Sequence, residues 1–195
     1  PEAVHEILPY HDKERNIFFT ADCILDNRSE LIQELQITNS EIPDGLLSYQ
    51  AYLAWGERFV EHLLGAFSFA IYAPDTDSFL LYTDHAGNRC IHYSLQEQIL
   101  YFSTTYDLFK ESFSPDQLKL SEKWITACES EPSACMLAFP GLTPFEGVFQ
   151  LKAAHYIKYT NGKLSEIQYW NPKKCKKIYY QEELQYKDLV VQTFR

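Results

Sequence analysis

Apolar residues fall in two regimes along the chain, helical spacing early and strand-like runs later. Asn16 to Leu25 is rich in Phe and Ile and predicts a strand. Asn27 to Leu35 then predicts a helix, with Asn27 as N-cap and Glu30 three residues on as its capping-box partner. After the polar stretch Gln36 to Pro43, Gly45 to Trp55 places Leu46, Leu47, Gln50, Leu53 and Ala54 near helical spacing. Asp44 is its candidate N-cap and Gly56 its stop. A short helix is expected over Glu57 to Leu64, ending at Gly65.

Strand patterns follow. AFSFAIYA, Ala66 to Ala73, is apolar on both faces, as in a strand inside a sandwich. The turn Pro74 to Asp77 leads into Ser78 to Thr83, and Asp84 to Asn88 forms a second turn. Cys90 to Leu95 and Ile99 to Ser103 predict a hairpin around Gln96-Glu97. Thr104 to Lys110 reads as at least one helical turn, Trp124 to Ala127 as helical, and Glu129 to Ser133 as a loop. The strongest hairpin is His155 to Thr160 and Leu164 to Trp170 about Asn161-Gly162. Gln181 to Phe194 predicts a final amphipathic helix. Short turns cannot make parallel crossovers, so the class is α+β with antiparallel strands.

Composition narrows the functions. Hydrophobic residues are 46% of the 195 and aromatics 15%, which supports a real core and not a disordered chain. The formal charge is 17 minus 27, or −10, with no basic helix or patch, so nucleic acid is an improbable partner. The one basic run, Lys173 to Lys177, reads as a solvated connector. No apolar run approaches the roughly 18 residues of a membrane span, so no membrane partner is expected. Five cysteines, Cys23, Cys90, Cys128, Cys135 and Cys175, include no C-x-x-C pair, which favours a reducing cytoplasm over a disulfide framework. Pro1 predicts a further segment upstream.

Most generic chemistry fails on the sequence. G-x-G-x-x-G, G-x-x-x-x-G-K, H-E-x-x-H and G-x-S-x-G do not occur. His85, Cys90 and His92 lie close together, but no fourth metal ligand sits at a sensible spacing. Cys23 invites a nucleophile reading. A reactive thiol needs a nearby cation or helix N-terminus, whereas Asp22 is adjacent and raises a thiol's pKa. A small buried hydrophobe is the better reading of Cys23.

Three stretches carry a resemblance: ADCILDNRSEL, the run from DGLLSYQAYLAWGERF to DHAGNRCIHYS, and ILYFSTTYDLF. Together with TPFEGVFQLKAAHYIKYTNGKLSEIQYWNP, they resemble the N-terminal glutaminase domain of asparagine synthetase, a class II glutamine amidotransferase domain of the N-terminal-nucleophile type. Glu57 to Tyr93 is the most specific block. The resemblance implies a four-layer α-β-β-α sandwich of antiparallel sheets. It implies a glutaminase-like domain over 1–170, with 171–195 as linker and first helix toward an ATP-dependent synthetase domain. Glutamine would be a substrate, the synthetase half a partner, and ATP and Mg²⁺ its cofactors. A homodimer is among the assemblies it allows.

The resemblance implies a catalytic N-terminal cysteine, whose own amine acts as its base, and an arginine for the glutamine carboxylate, both expected upstream of Pro1. Family glutaminases carry Asn-Gly-Glu where this chain has Asp22-Cys23-Ile24. There the Asn side chain and Gly amide form the oxyanion hole. An ionised Asp22 accepts hydrogen bonds and donates none, and losing one oxyanion donor costs on the order of 10²–10³ in rate. Ile24 cannot make the polar contact of the family Glu. Asp44 aligns with the acid that holds the glutamine α-ammonium, and an Asp before a helix is also an ordinary cap. Asp84 and Gly87 match the family D-x-x-G turn and read as structural, Gly87 supplying a positive φ. No Ser-Gly-Gly-x-Asp-Ser pyrophosphate loop occurs. The substrate-binding candidates are therefore Asp44, Asp22 and Cys23. Two functions stand: the glutamine-hydrolysing domain of an asparagine synthetase-like amide-forming ligase, or a degenerate scaffold supporting a synthetase or peptide-cyclase partner. A small-ligand β-sandwich outside the family, suggested by aromatic content alone, is the third reading.

Overall fold

The structure is a computed structural model that describes residues 6–130, 139–174 and 177–193. Strand-forming runs give a six-stranded sheet. Its members are β1 (Tyr10–Asp12), β2 (Ile17–Leu25), β3 (Gly65–Ala73), β4 (Ser78–Thr83), β8 (His155–Thr160) and β9 (Lys163–Gln168), in the order β1-β2-β3-β4-β8-β9. A second sheet holds β5 (His92–Gln96), β6 (Ile99–Ser103) and β7 (Phe149–Gln150), in the order β6-β5-β7. Every neighbouring pair is antiparallel.

Alternation along β3 explains why its run is apolar throughout. Phe67, Phe69 and Ile71 face helices α1 (Arg28–Glu34) and α2 (Asp44–Trp55) and join Phe19, Tyr49, Phe59 and Tyr82 in one core. Phe59 lies 5.3 Å from Phe69 and 5.1 Å from Tyr82 between ring centroids, within the range where aromatic pairs add about 0.5–1.5 kcal/mol beyond area burial. On the opposite face Ala70 joins Leu81, Ile91, Leu151 and Ile157 in a second core between the sheets. Helix α3 (Asp107–Ser112) covers the outer face of the small sheet through Phe109 and Phe113, with Tyr101 of β6 4.8 Å from Phe113. The layers are thus α, β, β, α, as expected. Helix α4 (Glu122–Ser130) follows, and α5 (Glu183–Thr193) buries no residue.

Several local expectations are corrected. The short helix expected over Glu57 to Leu64 is a 3₁₀ segment over Gly56–Glu61, starting one residue earlier and ending three sooner. The β5–β6 turn is centred on Glu97 (φ 48°) and Gln98 (φ 70°), one residue later than expected, because both central residues of this tight turn take left-handed backbone. Glu129, expected in a loop, is helical within α4, and residues 131–133 of that loop lie outside the described residues. Strands β1 and β7 were not foreseen, being three and two residues long. Cys135 and Cys175, and Phe194 of the predicted last helix, also lie outside the described residues.

Candidate functional site

The register of β2 against β3 sets Asp22 opposite Ser68 and Thr20 opposite Ala70. These positions border a cavity of about 130 Å³ between the sheets, closed on the other side by Phe102, Ser103 and Thr104 at the end of β6. Asp22 is half exposed there, and among the described residues its carboxylate accepts no hydrogen bond. Its Oδ2 lies 3.6 Å from Nη1 of Arg89, an ion pair but too long for a hydrogen bond. A solvent-accessible pair of this kind contributes about 0–1 kcal/mol. Arg89 was not singled out in the sequence. Its signal was available: a lone guanidinium five residues past Asp84, in an acidic chain.

Arg89 also ties this cleft to the D-x-x-G turn. The Asp84 carboxylate is buried and accepts from the backbone N–H groups of Phe67, Ala86, Asn88 and Arg89 at 3.3, 2.9, 3.1 and 2.9 Å, and from the Asn88 amide at 3.2 Å. Gly87 takes φ +74° inside the turn, with Ala153 close against the position a Cβ would occupy. Asp84 therefore organises the turn that delivers Arg89 to the cleft.

Cys23 points the other way. Alternation turns its side chain onto the helix side of the sheet, where it packs on the first core. Burial, with the negative charges of Asp44, Glu6 and Asp22, pushes its thiol up to about 12. At neutral pH it is a protonated thiol beside α2, not a nucleophile.

Asp44 is not the N-cap of α2. Pro43 holds that position, and Asp44 is the first helical residue, its carboxylate turned back toward β2. One oxygen accepts the Leu25 N–H at 3.0 Å and the other pairs with Arg28. Arg28 donates as well to the Ser40 carbonyl at 2.8 Å and to the Ile42 carbonyl. A cation in the first turn of a helix is opposed by the helix dipole, so Arg28 at the start of α1 carried a sequence signal for a specific anionic partner. The Asn27 side chain makes no capping bond and the capping box with Glu30 does not form. Its amide clasps the His62 carbonyl and the Leu64 N–H, both at 2.9 Å, joining α1 to the turn before β3.

The histidine cluster separates. His85 packs against Phe67, Tyr169 and Trp170, and His92 against Tyr106. Burial lowers the pKa of both. Among the described residues no group of three or more His, Cys, Asp or Glu side chains could hold a metal ion. No described helix is long and apolar enough to cross a membrane.

Comparison with known proteins agrees with this fold. A family described as "Glutamine amidotransferase domain" matches residues 3–111, more than half the chain. The chain belongs to that glutamine amidotransferase domain family, and its layered antiparallel fold is that of the N-terminal-nucleophile amidotransferases. Its structure is similar to glutamine phosphoribosylpyrophosphate amidotransferase from B. subtilis complexed with ADP and GMP, with a TM-score of 0.56 at 10% identity over 84% of this chain and 32% of that one. It is also similar to the allosteric regulatory enzyme of purine biosynthesis, with a TM-score of 0.55 at 12% identity over 84% of this chain and 31% of that one. The chain spans about a third of the length of these solved structures. No curated protein sequence matches it significantly.

Proposed function

We propose that this amidotransferase domain serves an asparagine synthetase-like, ATP-dependent, amide-forming ligase, and that within it the domain is a scaffold with little or no glutamine hydrolysis. The observation that carries the scaffold reading is the Asp22 carboxylate at the cleft between the sheets, paired only loosely with Arg89. A glutaminase needs a hydrogen-bond donor at that position, and a negative charge opposes a developing oxyanion. The inward, protonated Cys23 supports the same reading. The partner half rests on the resemblance of Glu57 to Tyr93, and on α5, none of whose described residues is buried. Residues 171–195 are then the linker and first helix toward that half.

A second reading keeps glutamine as a working substrate. It is favoured by Asp44, which the resemblance aligns with the acid for the substrate ammonium and which has a charged partner in Arg28. The test is glutamate release from glutamine by the intact protein. Release at least on the order of 10²-fold below an ordinary glutaminase is expected, as for loss of an oxyanion donor. Release within about tenfold of an ordinary glutaminase overturns the scaffold reading and leaves the second. In the intact protein, Asp22→Asn should raise a residual rate; an unchanged rate removes Asp22 as the cause.

A further inference from the structure

A larger cavity, of about 640 Å³, shares no lining residue with the cleft at Asp22. Tyr93 and Leu95 of β5, Phe149 of β7 and Leu164 of β9 form its walls, and Phe139 and Leu142 close it. The core between the sheets separates the two cavities. Ala70 and Ile91 of that core border the cleft, whereas Tyr93 and Leu164 pack on it and border the larger cavity. The size lies within the roughly 300–1,000 Å³ of small-molecule sites, and such sites are mostly apolar with a few placed polar groups.

The polar groups here have a definite sign. Lys152 and Glu166 neutralise each other at 2.8 Å. Lys123 has no carboxylate partner among the described residues; its Nζ stands 5.4 Å above the Phe139 ring. On a chain of formal charge −10, an ammonium with no carboxylate partner among the described residues, at the rim of an apolar cavity, is a local exception. Leu95, Phe139 and Phe149 are each at least 39% exposed, so the cavity leaves apolar surface in water that a ligand would remove. Tyr93 and Phe149 present rings 5.7 Å apart on one wall.

We propose that this cavity binds a small amphipathic carboxylate, its aromatic or branched aliphatic body against Tyr93, Phe149 and Leu164 and its carboxylate on Lys123. The site is independent of the glutamine reading. It uses β5, β7 and β9, none of which supplies Asp22, Asp44 or Cys23.

Calorimetric titration of the chain with indole-3-butyrate and with its neutral counterpart indole-3-butanol tests it. The acid should bind with a Kd of about 0.1–1 mM, and the alcohol about tenfold more weakly, the share of one charge-assisted contact. Lys123→Gln should weaken the acid about tenfold and leave the alcohol unchanged, and Phe149→Arg should remove both. If Phe149→Arg fails to fold by circular dichroism, the exposed Lys123→Gln still decides. Asp22→Asn should bind the acid as the parent does. No binding of the acid, equal binding of acid and alcohol, no effect of Lys123→Gln, or loss of binding in Asp22→Asn each overturns the proposal.

Discussion

Asp84 and Asp22 are two carboxylates in opposite circumstances, linked by one arginine. Asp84 is fully buried and takes five hydrogen bonds, four of them from backbone amides. Asp22 is half exposed and, among the described residues, has only a 3.6 Å approach to the Arg89 guanidinium. Arg89 gives its backbone N–H to the first and its side chain to the second. An acid whose acceptor capacity is filled by its own turn holds structure. An acid left with unfilled lone pairs at a cavity is free to meet a ligand, and to repel one of the wrong sign. Asp44 lies between these extremes, filled by Leu25 and Arg28 yet partly exposed.

The contrast can be broken most forcibly at Asp84. Asp84→Ala strands several buried amides and should cost about 3–5 kcal/mol or prevent folding, read by urea denaturation. A loss below about 1 kcal/mol would remove the distinction between the two acids. Asp44→Ala strands the Leu25 amide and the Arg28 charge together, and should cost about 2–3 kcal/mol; Arg28→Ala added to it also removes the bonds to the Ser40 and Ile42 carbonyls, and a double-mutant cycle should show a total loss smaller than the sum of the two single losses. Gly87→Ala forces a side chain into left-handed backbone against Ala153 and should cost about 1–2 kcal/mol. Asp22→Asn removes only a loose pair and should shift stability by less than about 0.5 kcal/mol, while changing the charge presented at the cleft.

Proton uptake sharpens the picture from another side. Burial holds the pKa of His85 and His92 below the ordinary imidazole value of about 6.5 in the folded state. The unfolded chain therefore binds more protons below about pH 6.5, and the stability tied to these neutral rings is complete above that pH and lost as pH falls through it. Denaturation at pH 7.5 and pH 5.5 should show the loss, and His92→Phe should reduce it.

Much of the fold was legible because local signals and periodicity agreed. Asn161 (φ 51°) and Gly162 (φ 74°) fixed the β8–β9 hairpin, and the alternation in AFSFAIYA placed β3 between two cores. The candidate cap residues were less well read. Asn27 and Asp44 both stand at helix starts, where a side chain commonly bonds its own helix, yet both reach outward to other segments. Such bonds join residues 19 to 37 apart in the chain, so no local pattern announces them. The pairing of Arg89 with Asp22 escaped for the same reason, since it depends on β3 and the turn after β4 lying beside β2.

By itself the sequence determined the acid at position 22, the acceptor-only chemistry of that acid, and the antiparallel α+β class with its D-x-x-G turn. Those follow from side-chain chemistry and from distances of a few residues, which the covalent chain sets. Only the tertiary structure decided which face each group takes: Cys23 toward the helices, Asp22 toward the second sheet, Asp44 back onto Leu25. It also decided that, among the described residues, Asp22 meets Arg89 and no backbone amide. Strand register is a property of the whole sheet, set by cores that gather residues from Phe19 to Ile157, and no segment of the chain holds that information alone.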